Sequence, residues 1–289
     1  MPAPSPIRRI ATFSIAATDG VDWGVAVASK FLAVGGAVPA AAAEVGAVAT
    51  QAMANTSYKS RGLELLGQGR SAGEVVEILT TSDPNREHRQ LGVVDRDGAA
   101  ASFTGSACFE WAGGRTGPGY ACQGNILAGA DVVDAMVSSF ESSQGSLSHR
   151  LLATLAAGDG AGGDRRGRQS AAILVARSGA GYGGFDDRMI DLRVDDHSNP
   201  VPELARLVDL WRLHFEPPNP ADLIPADEAT LERVRLALER RGRIEGRVDQ
   251  EAIFLALEAW AGMANLEERC GRRDVVDPLL LAALESGSD

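Results

Sequence analysis

Two apolar stretches decide the fold, and they read Thr12-Phe13-Ser14-Ile15-Ala16-Ala17 and Gly24-Val25-Ala26-Val27-Ala28. Asp19 and Gly20 lie between them. Asp-Gly between two short apolar runs is typical of a β-hairpin, because these residues accept the backbone angles of a tight turn. The sequence therefore predicts that a hairpin, with strands at residues 11–17 and 24–28, begins the folded part of the chain.

Further strand and helix patterns follow this hairpin. Apolar strand patterns cover residues 45–51, 89–94, 99–104, 120–123, 171–175, 181–185 and 189–194. Helical patterns cover residues 60–66, 131–140, 147–157 and 201–214, and Ser71 and Glu74 have the spacing of a capping box at the start of another helix. Groups of strands separated by groups of helices predict an α+β fold, with two antiparallel sheets stacked between helix layers.

A proline-rich stretch, Phe215-Glu216-Pro217-Pro218-Asn219-Pro220, interrupts the chain after these patterns. Such stretches favour a domain boundary. Helical patterns then cover residues 229–241, 250–263 and 277–284. We expect a flexible leader at residues 1–11, a sandwich domain at residues 12–216, a linker at residues 217–228 and a small helical domain at residues 229–289.

The composition excludes several classes of function. The 289 residues carry a formal net charge of −11, which disfavours nucleic acid and anionic membranes as partners. The sequence contains neither an apolar run of membrane-spanning length nor a secretory signal, so we expect a cytoplasmic protein. The three cysteines and four histidines form no disulfide framework or zinc pattern, and no nucleotide-binding fingerprint is present. The sequence therefore predicts no metal and no cofactor.

Several motifs in residues 12–215 carry a specific resemblance to known proteins. They include Thr12-Phe13-Ser14-Ile15-Ala16, Gly46-Ala47-Val48-Ala49-Thr50-Gln51-Ala52, Arg89-Gln90-Leu91-Gly92-Val93-Val94-Asp95, Gln123-Gly124-Asn125-Ile126-Leu127 and Gly163-Asp164-Arg165-Arg166-Gly167-Arg168-Gln169-Ser170. Together they resemble a bacterial and archaeal family of uncharacterised proteins that are similar to N-terminal-nucleophile (Ntn) hydrolases.

The resemblance implies a four-layer αββα sandwich, as in the proteasome, and a homodimer. Some members of this family carry a C-terminal peptidoglycan-binding domain. The tail of this chain is similar to that domain, most clearly at Asn265-Leu266-Glu267-Glu268-Arg269. A cell-wall fragment is therefore an expected partner, besides a small amide substrate.

In Ntn hydrolases, the residue that heads the mature chain attacks an amide carbonyl, and its α-amine is the base. The resemblance makes Thr12 the candidate nucleophile, with Ser14 on the same strand face as a weaker substitute. Eleven residues precede Thr12, whereas the family's strand begins near the start of the chain. A later start, a cleaved leader, and a Thr12 that keeps no free amine all stay open. A structural role also stays open, because threonine is common in strands.

The other catalytic candidates are Ser29, Lys30 and Asn55. The first hairpin brings Lys30 to the same end as Thr12, where a cation would lower the pKa of a nucleophile, as the resemblance to the proteasome implies. The alternative is a solvated surface lysine. The small residues that lead to Asn55 would let backbone N–H groups form an oxyanion hole, with the Asn55 amide as an additional donor. Alternatively, Asn55 caps a helix.

The candidate substrate-binding residues are Gln51, Gln123, Asn125, Asp164, Arg165, Arg166 and Ser170. The amides of Gln123 and Asn125 suit an amide or carboxylate ligand, and a hydrogen-bonded turn is the alternative. By analogy with the proteasome, Asp164 and Ser170 help to position the nucleophile. Arg165 or Arg166 would bind a carboxylate with two hydrogen bonds, unless this loop is simply solvated.

Two functions therefore remain open. The first is an amidohydrolase that cleaves a C–N amide bond of a small or peptide-derived substrate with Thr12. The second is a non-catalytic protein that binds small molecules or cell-wall fragments on the same fold, because fold does not fix function.

Overall fold

A computed structural model of the protein describes residues 12–286. The chain forms two compact units, Met1–Leu207 and Val208–Asp289. The predicted leader, residues 1–11, lies outside the described residues. The limits of the leader, sandwich, linker and helical domain stay predictions.

A six-stranded antiparallel sheet contains the hairpin that begins the described chain. Its strands are β1 (Thr12–Thr18), β2 (Trp23–Ser29), β7 (Gly113–Gly117), β8 (Tyr120–Asn125), β9 (Ser170–Ala176) and β10 (Arg188–Val194), in the spatial order β10-β9-β2-β1-β8-β7. Strands β1 and β2 pair with Thr12 opposite Ser29, which confirms the predicted hairpin. Strand β1 therefore lies between β2 and β8, inside the sheet.

A four-stranded antiparallel sheet uses the middle of the first unit. It consists of β3 (Pro39–Ala42), β4 (Gly46–Ala52), β5 (Arg89–Asp95) and β6 (Ala100–Thr104), in sequence order. The helices of this unit are α1 (Val34–Ala37), α2 (Ser57–Gly67), α3 (Ala72–Thr81), α4 (Asp131–Ser142) and α5 (Leu147–Gly160). Helix α6 (Pro200–Phe215) follows, and the limit between the units falls within it. The predicted capping box at Ser71 and Glu74 is confirmed at the start of α3.

The two sheets pack face to face through small and β-branched side chains. Ala16 and Val27 of the six-stranded sheet share one buried cluster with Ala47 and Val94 of the four-stranded sheet. The outer face of the four-stranded sheet packs against helices α2 and α3 in a second cluster, which includes Leu79. Each sheet thus alternates residues that face the other sheet with residues that face helices, as the two-residue period of a strand requires.

Helix α5 lies close to the outer face of the six-stranded sheet, where glycines make room for it. A Cβ atom on Gly24 of β2 would lie 2.8 Å from Cδ1 of Leu151. A Cβ atom on Gly158 of α5 would lie 3.1 Å from Cδ2 of Phe13 in β1. The close approach of α5 to β1 and β2 therefore depends on the absence of these side-chain atoms.

The second unit is built on three helices that confirm the helical patterns of the tail. They are α7 (Glu228–Arg240), α8 (Gln250–Met263) and α9 (Pro278–Ser286), accompanied by the short strands β11 (Ile224–Pro225) and β12 (Val275–Val276). Leu238, Phe254 and Leu281 belong to their common core. Arg269 is also buried: it pairs with Asp277 at 2.6 Å and donates to three main-chain carbonyls at residues 212, 213 and 216.

The strand predicted at residues 181–185 is wrong. A short 3₁₀ turn, Tyr182–Gly184, occupies this stretch, and the side chains of Tyr182 and Phe185 are exposed. Gly183 and Gly184 have φ angles of 66° and 75°, which an extended strand does not contain. The following strand, β10, pairs with β9 as an antiparallel neighbour. None of the helices within residues 12–286 is long and apolar enough to cross a membrane.

A chain shortened to residues 1–218 should keep one cooperative thermal transition, followed by far-UV circular dichroism. The two clusters that pack the four-stranded sheet on its two faces use no residue beyond Ala172, so the cut leaves them intact. Aggregation of the shortened protein, or a broad transition without cooperativity, would show that the second unit is required for the core of the first.

Candidate functional site

Polar side chains gather where β1 begins. Thr12 is paired with Ser29 on one side and with Asn125 on the other, and Ser14 is paired with Gln123. Residues that are paired across neighbouring strands point to the same face of a sheet. These five side chains therefore lie on the face of the six-stranded sheet that packs against the four-stranded sheet. Ala16 lies on the same face.

The four-stranded sheet supplies polar side chains to the same place. Gln51 of β4 is paired with Gln90 of β5, which is paired with Thr104 of β6. At the opposite end of the inter-sheet space, the paired residues Ala47 and Val94 lie in the apolar cluster. The inter-sheet space is therefore divided into an apolar end and a polar end.

Side-chain hydrogen bonds connect the two sheets at the polar end. The Ser14 hydroxyl donates to Gln51 Oε1 and accepts from Gln123 Nε2, both at 2.7 Å. Gln51 Nε2 donates to Gln90 Oε1 at 2.8 Å, and Asn125 Nδ2 donates to the same oxygen at 3.0 Å. All five side chains are at most 2% exposed. We call Ser14, Gln51, Gln90, Gln123 and Asn125 the amide network.

Gln90 is the centre of the amide network. Besides accepting two hydrogen bonds, it donates to Thr104 Oγ1 at 2.9 Å and to the Gly124 carbonyl at 2.7 Å. Gln123 Oε1 has no partner in the described part of the chain. A Cβ atom on Gly92 would lie only 2.1 Å from this oxygen, so the glycine makes room for the amide.

Thr12 lies beside the amide network and is completely buried. Its hydroxyl donates to Ser29 Oγ at 3.3 Å, and its carbonyl accepts from Gln51 Nε2 at 3.4 Å. In this sequence its nitrogen forms a peptide bond with Ala11. The structure therefore brings Thr12, Ser29, Gln51, Gln123 and Asn125 together, with the threonine closed in.

A small cavity adjoins each strand neighbour of Thr12. One cavity of about 100 Å³ is lined by Ser29, among other residues. A second one of about 10 Å³, hardly larger than a water molecule, is lined by Asn125 and Cys108. Burial raises the pKa of the Cys108 thiol, which is therefore protonated at neutral pH and a poor nucleophile.

Asp164 anchors the loop that carries the basic candidates. Its side chain is buried, and it accepts from the Lys30 main-chain N–H at 2.8 Å. Arg166 binds both of its carboxylate oxygens, at 3.1 and 2.9 Å. Lys30 Nζ donates to the Arg168 carbonyl at 3.2 Å, so the lysine cation does not contact Thr12. The Arg165 side chain is exposed.

Ser170 and Asn55 make contacts of their own. Ser170 Oγ donates to the Phe31 carbonyl at 2.5 Å and accepts from the Val34 N–H at 3.1 Å, which fixes the chain after β2. Asn55 Oδ1 accepts from the Ser57 N–H at 3.2 Å, but the N-cap residue of α2 is Thr56, so Asn55 lies one residue before the predicted capping position. In the turn before Asn55, the Met53 N–H donates to the His88 carbonyl.

A second polar cluster surrounds Asp83. It accepts from Arg89 at 2.8 Å, from Tyr58 at 2.9 Å and from Asn55 at 3.2 Å. Burial alone would raise the pKa of Asp83, but the hydrogen bonds from Arg89, the Asn85 N–H, Asn55 and Tyr58 hold it well below its usual range. Asp83 is therefore an ionised structural partner, and Asn55 belongs to this cluster.

Sequence reasoning missed Gln90 as a member of the site. Its signal was a glutamine directly before the apolar run from Leu91 to Val94, within a motif that carries the family resemblance. Among residues 12–286, no group of three or more His, Cys, Asp or Glu side chains is arranged to hold a metal ion.

The fold and the site define an α+β protein with a polar site between two antiparallel sheets, followed by a helical module. Residues 12–204 match the DUF1028 family, described as a family of unknown function, and the chain belongs to this family. Residues 214–284 match a family described as "Putative peptidoglycan binding domain".

One similar solved structure is the crystal structure of protein SPO2555 from Silicibacter pomeroyi, which carries the same DUF1028 assignment. It is 34% identical to this chain, with a TM-score of 0.64, and the match covers 70% of this chain and 89% of that one. No curated protein matches this chain.

Replacing Gln90 with leucine should lower the free energy of unfolding by about 3 kcal/mol or more, because buried donors and acceptors lose their partner. Urea unfolding would measure the loss. The matched control is Gln68→Leu, at an exposed position after α2, which should change stability by at most about 0.5 kcal/mol. Similar stabilities for Gln90→Leu and the control would contradict a structural role for the amide network.

Asp83→Asn should destabilise the protein at pH 7 by about 3 kcal/mol, because it leaves the buried Arg89 without its anion. A carboxyl group with a depressed pKa stabilises the fold above its unfolded pKa of about 4, and this contribution disappears as the pH falls through the folded value. The wild-type protein should therefore lose more stability below pH 4 than Asp83→Asn does.

Urea unfolding at several pH values would measure this difference. The control is Asp97→Asn, at an exposed aspartate whose side chain has no described hydrogen bond. It should follow the wild-type profile, and parallel acid profiles for the wild type and Asp83→Asn would refute the role of Asp83.

Proposed function

We propose that this protein is an Ntn-type amidohydrolase that cleaves an amide bond in a peptide-derived fragment, with Thr12 as the nucleophile. In this proposal the second unit binds a fragment of the cell wall. The observation that carries it is the position of Thr12 at the head of a central strand, where its hydroxyl donates to Ser29, a residue that lines a cavity of about 100 Å³.

The packing of the first unit supports an αββα sandwich of the Ntn kind. Two antiparallel sheets share an inner core, and helices pack against the outer faces. Thr12 is the first residue of β1, which lies between β2 and β8. In an Ntn hydrolase, the nucleophile occupies the head of the chain, so this position for Thr12 suits the mechanism.

The proposed reaction begins after hydrolysis of the Ala11–Thr12 bond. The free α-amine, with a pKa near 8, takes the proton of Thr12 Oγ as that oxygen attacks the substrate carbonyl. An ester forms, the C–N bond breaks, and the leaving amine receives the proton. Water then hydrolyses the ester and restores the hydroxyl. Because the Lys30 cation contacts the Arg168 carbonyl and not Thr12, the proposed mechanism assigns no step to it.

The competing proposal is a protein that binds such fragments without cleaving them. It is favoured by the complete burial of Thr12 and by the amide network, whose donors are occupied by protein acceptors. In that case, the polar end of the inter-sheet space is structural, and the binding function belongs to the second unit.

A chain that starts at Thr12 should hydrolyse muramyl peptides, detected by mass spectrometry of the products. The full chain should be at least about a hundredfold slower, because its Thr12 nitrogen is an amide and cannot accept a proton. Thr12→Ala in the shortened chain should be inactive, whereas Thr12→Ser should keep part of the activity. Loss of one hydroxyl should cost at most about 1 kcal/mol of stability.

Intact-mass measurement would verify the first residue of each protein, and thermal melting would verify folding. Equal turnover by the shortened chain and its Thr12→Ala variant would reject Thr12 as the nucleophile. Binding of muramyl peptides without turnover by any folded variant would favour the non-catalytic proposal.

A further inference from the structure

The second unit contains a larger cavity than either of those beside Thr12. Its volume is about 500 Å³, within the range of pockets that hold small molecules. Leu213, Trp260, Met263 and Leu266 are among the residues that form its apolar wall. Trp260 and Leu266 also belong to the core of the unit, so the packed helices hold this wall in place.

A cation lines the same cavity. Arg243 is exposed, and its guanidinium has no acidic partner in the described part of the chain. Five other arginines of the unit form ion pairs with Asp or Glu, namely Arg233, Arg235, Arg269, Arg272 and Arg273. None of the lining residues within the described part of the chain is acidic. The cavity therefore suits a ligand with a negative charge.

A second polar group in the lining suits a peptide. His214 Nδ1 lies 3.3 Å from the Asn265 carbonyl, and a carbonyl only accepts hydrogen bonds. Nδ1 therefore carries the proton of the neutral ring when this bond forms, which leaves Nε2 as an acceptor. The cavity thus offers one partner for each of three ligand groups. The apolar wall suits an acyl group, the guanidinium suits a carboxylate, and the imidazole acceptor suits an amide N–H.

We propose that this cavity binds the carboxylate end of a short acylated peptide, of the kind that peptidoglycan stem peptides present. Arg243 binds the carboxylate with two hydrogen bonds, and the wall around Met263 and Leu213 contacts the acyl and methyl groups. This inference deepens the proposed function, since it rests on the binding of cell-wall fragments by the second unit.

The test uses the full chain and isothermal titration calorimetry with N-acetylmuramyl-L-alanyl-D-isoglutamine, which has one free carboxylate. The wild-type protein should bind it at least about tenfold more tightly than the analogue in which this carboxylate is an amide. The sugar-free peptide N-acetyl-L-alanyl-D-isoglutamine distinguishes the two sources of this chemistry. If the sugar-free peptide binds as tightly as the muramyl peptide, the ligand is any acylated peptide with a free carboxylate. If it binds more weakly, the ligand is the cell-wall glycopeptide.

Three variants locate the site. Arg243→Gln should bind the acid at least about tenfold more weakly and should lose the preference over the amide. Arg240→Gln removes an exposed arginine that does not line the cavity, and it should bind as the wild type does. Met263→Asp places a negative charge at a side chain that is 60% exposed, and it should also weaken binding of the acid. Thermal melting verifies that each variant folds.

The outcomes separate this inference from the function on which it rests. Sedimentation of the protein with purified peptidoglycan tests cell-wall binding by itself. Binding to peptidoglycan without binding of the soluble acid would overturn the cavity proposal and leave cell-wall binding intact. Equal affinities for acid and amide, or unchanged binding by Arg243→Gln, would also overturn it. Binding to neither material would reject both.

Discussion

The side-chain amide of Gln90 lies between two sheets, out of contact with water, and the first unit depends on its hydrogen bonds. A buried amide without partners costs several kcal/mol, so the fold is stable only when the partners stand in register. Those partners come from β4, β6 and β8, and the network of Ser14 and Gln123 adds β1. A shift of β5 by one residue would turn Gln90 towards the helices, where Leu91 now lies.

This constraint also explains the division of the inter-sheet space. Small apolar residues such as Ala16 and Ala47 fill one end, where close packing holds the sheets together. At the other end, amides replace methyl groups, and directional hydrogen bonds hold the sheets instead. A polar end is suited to chemistry, because it can hold a reacting group in a fixed position.

In the proposed function, the first unit carries out the reaction and the second unit binds the cell-wall fragment. The first unit has a buried threonine beside small cavities, which suit a reacting bond better than a whole ligand. The second has a cavity of about 500 Å³ lined by a guanidinium that has no acidic partner among residues 12–286, which suits recognition of an anionic fragment. Recognition by one unit would raise the local concentration of substrate for the other, which increases turnover without a new contact at the reacting atoms.

Local sequence determined most of the secondary structure, because its signals act over a few residues. Asp19-Gly20 specified the first hairpin, Ser71 and Glu74 specified the start of α3, and helical periods specified α7 to α9. The prediction failed at residues 181–185, where glycines with positive φ angles turn the chain.

Only the tertiary structure decided which polar residues meet. Gln90 joined the site because β5 pairs with β4 and faces β8, a relation between residues that are far apart in sequence. Asn55 joined Asp83 instead, since α2 begins beside that carboxylate. The sequence by itself determined that Thr12 lies near the start of a strand, because strand signals are local. Whether its hydroxyl meets Ser29, Lys30 or solvent depends on the packing of two sheets, and long-range packing is not encoded in any short motif.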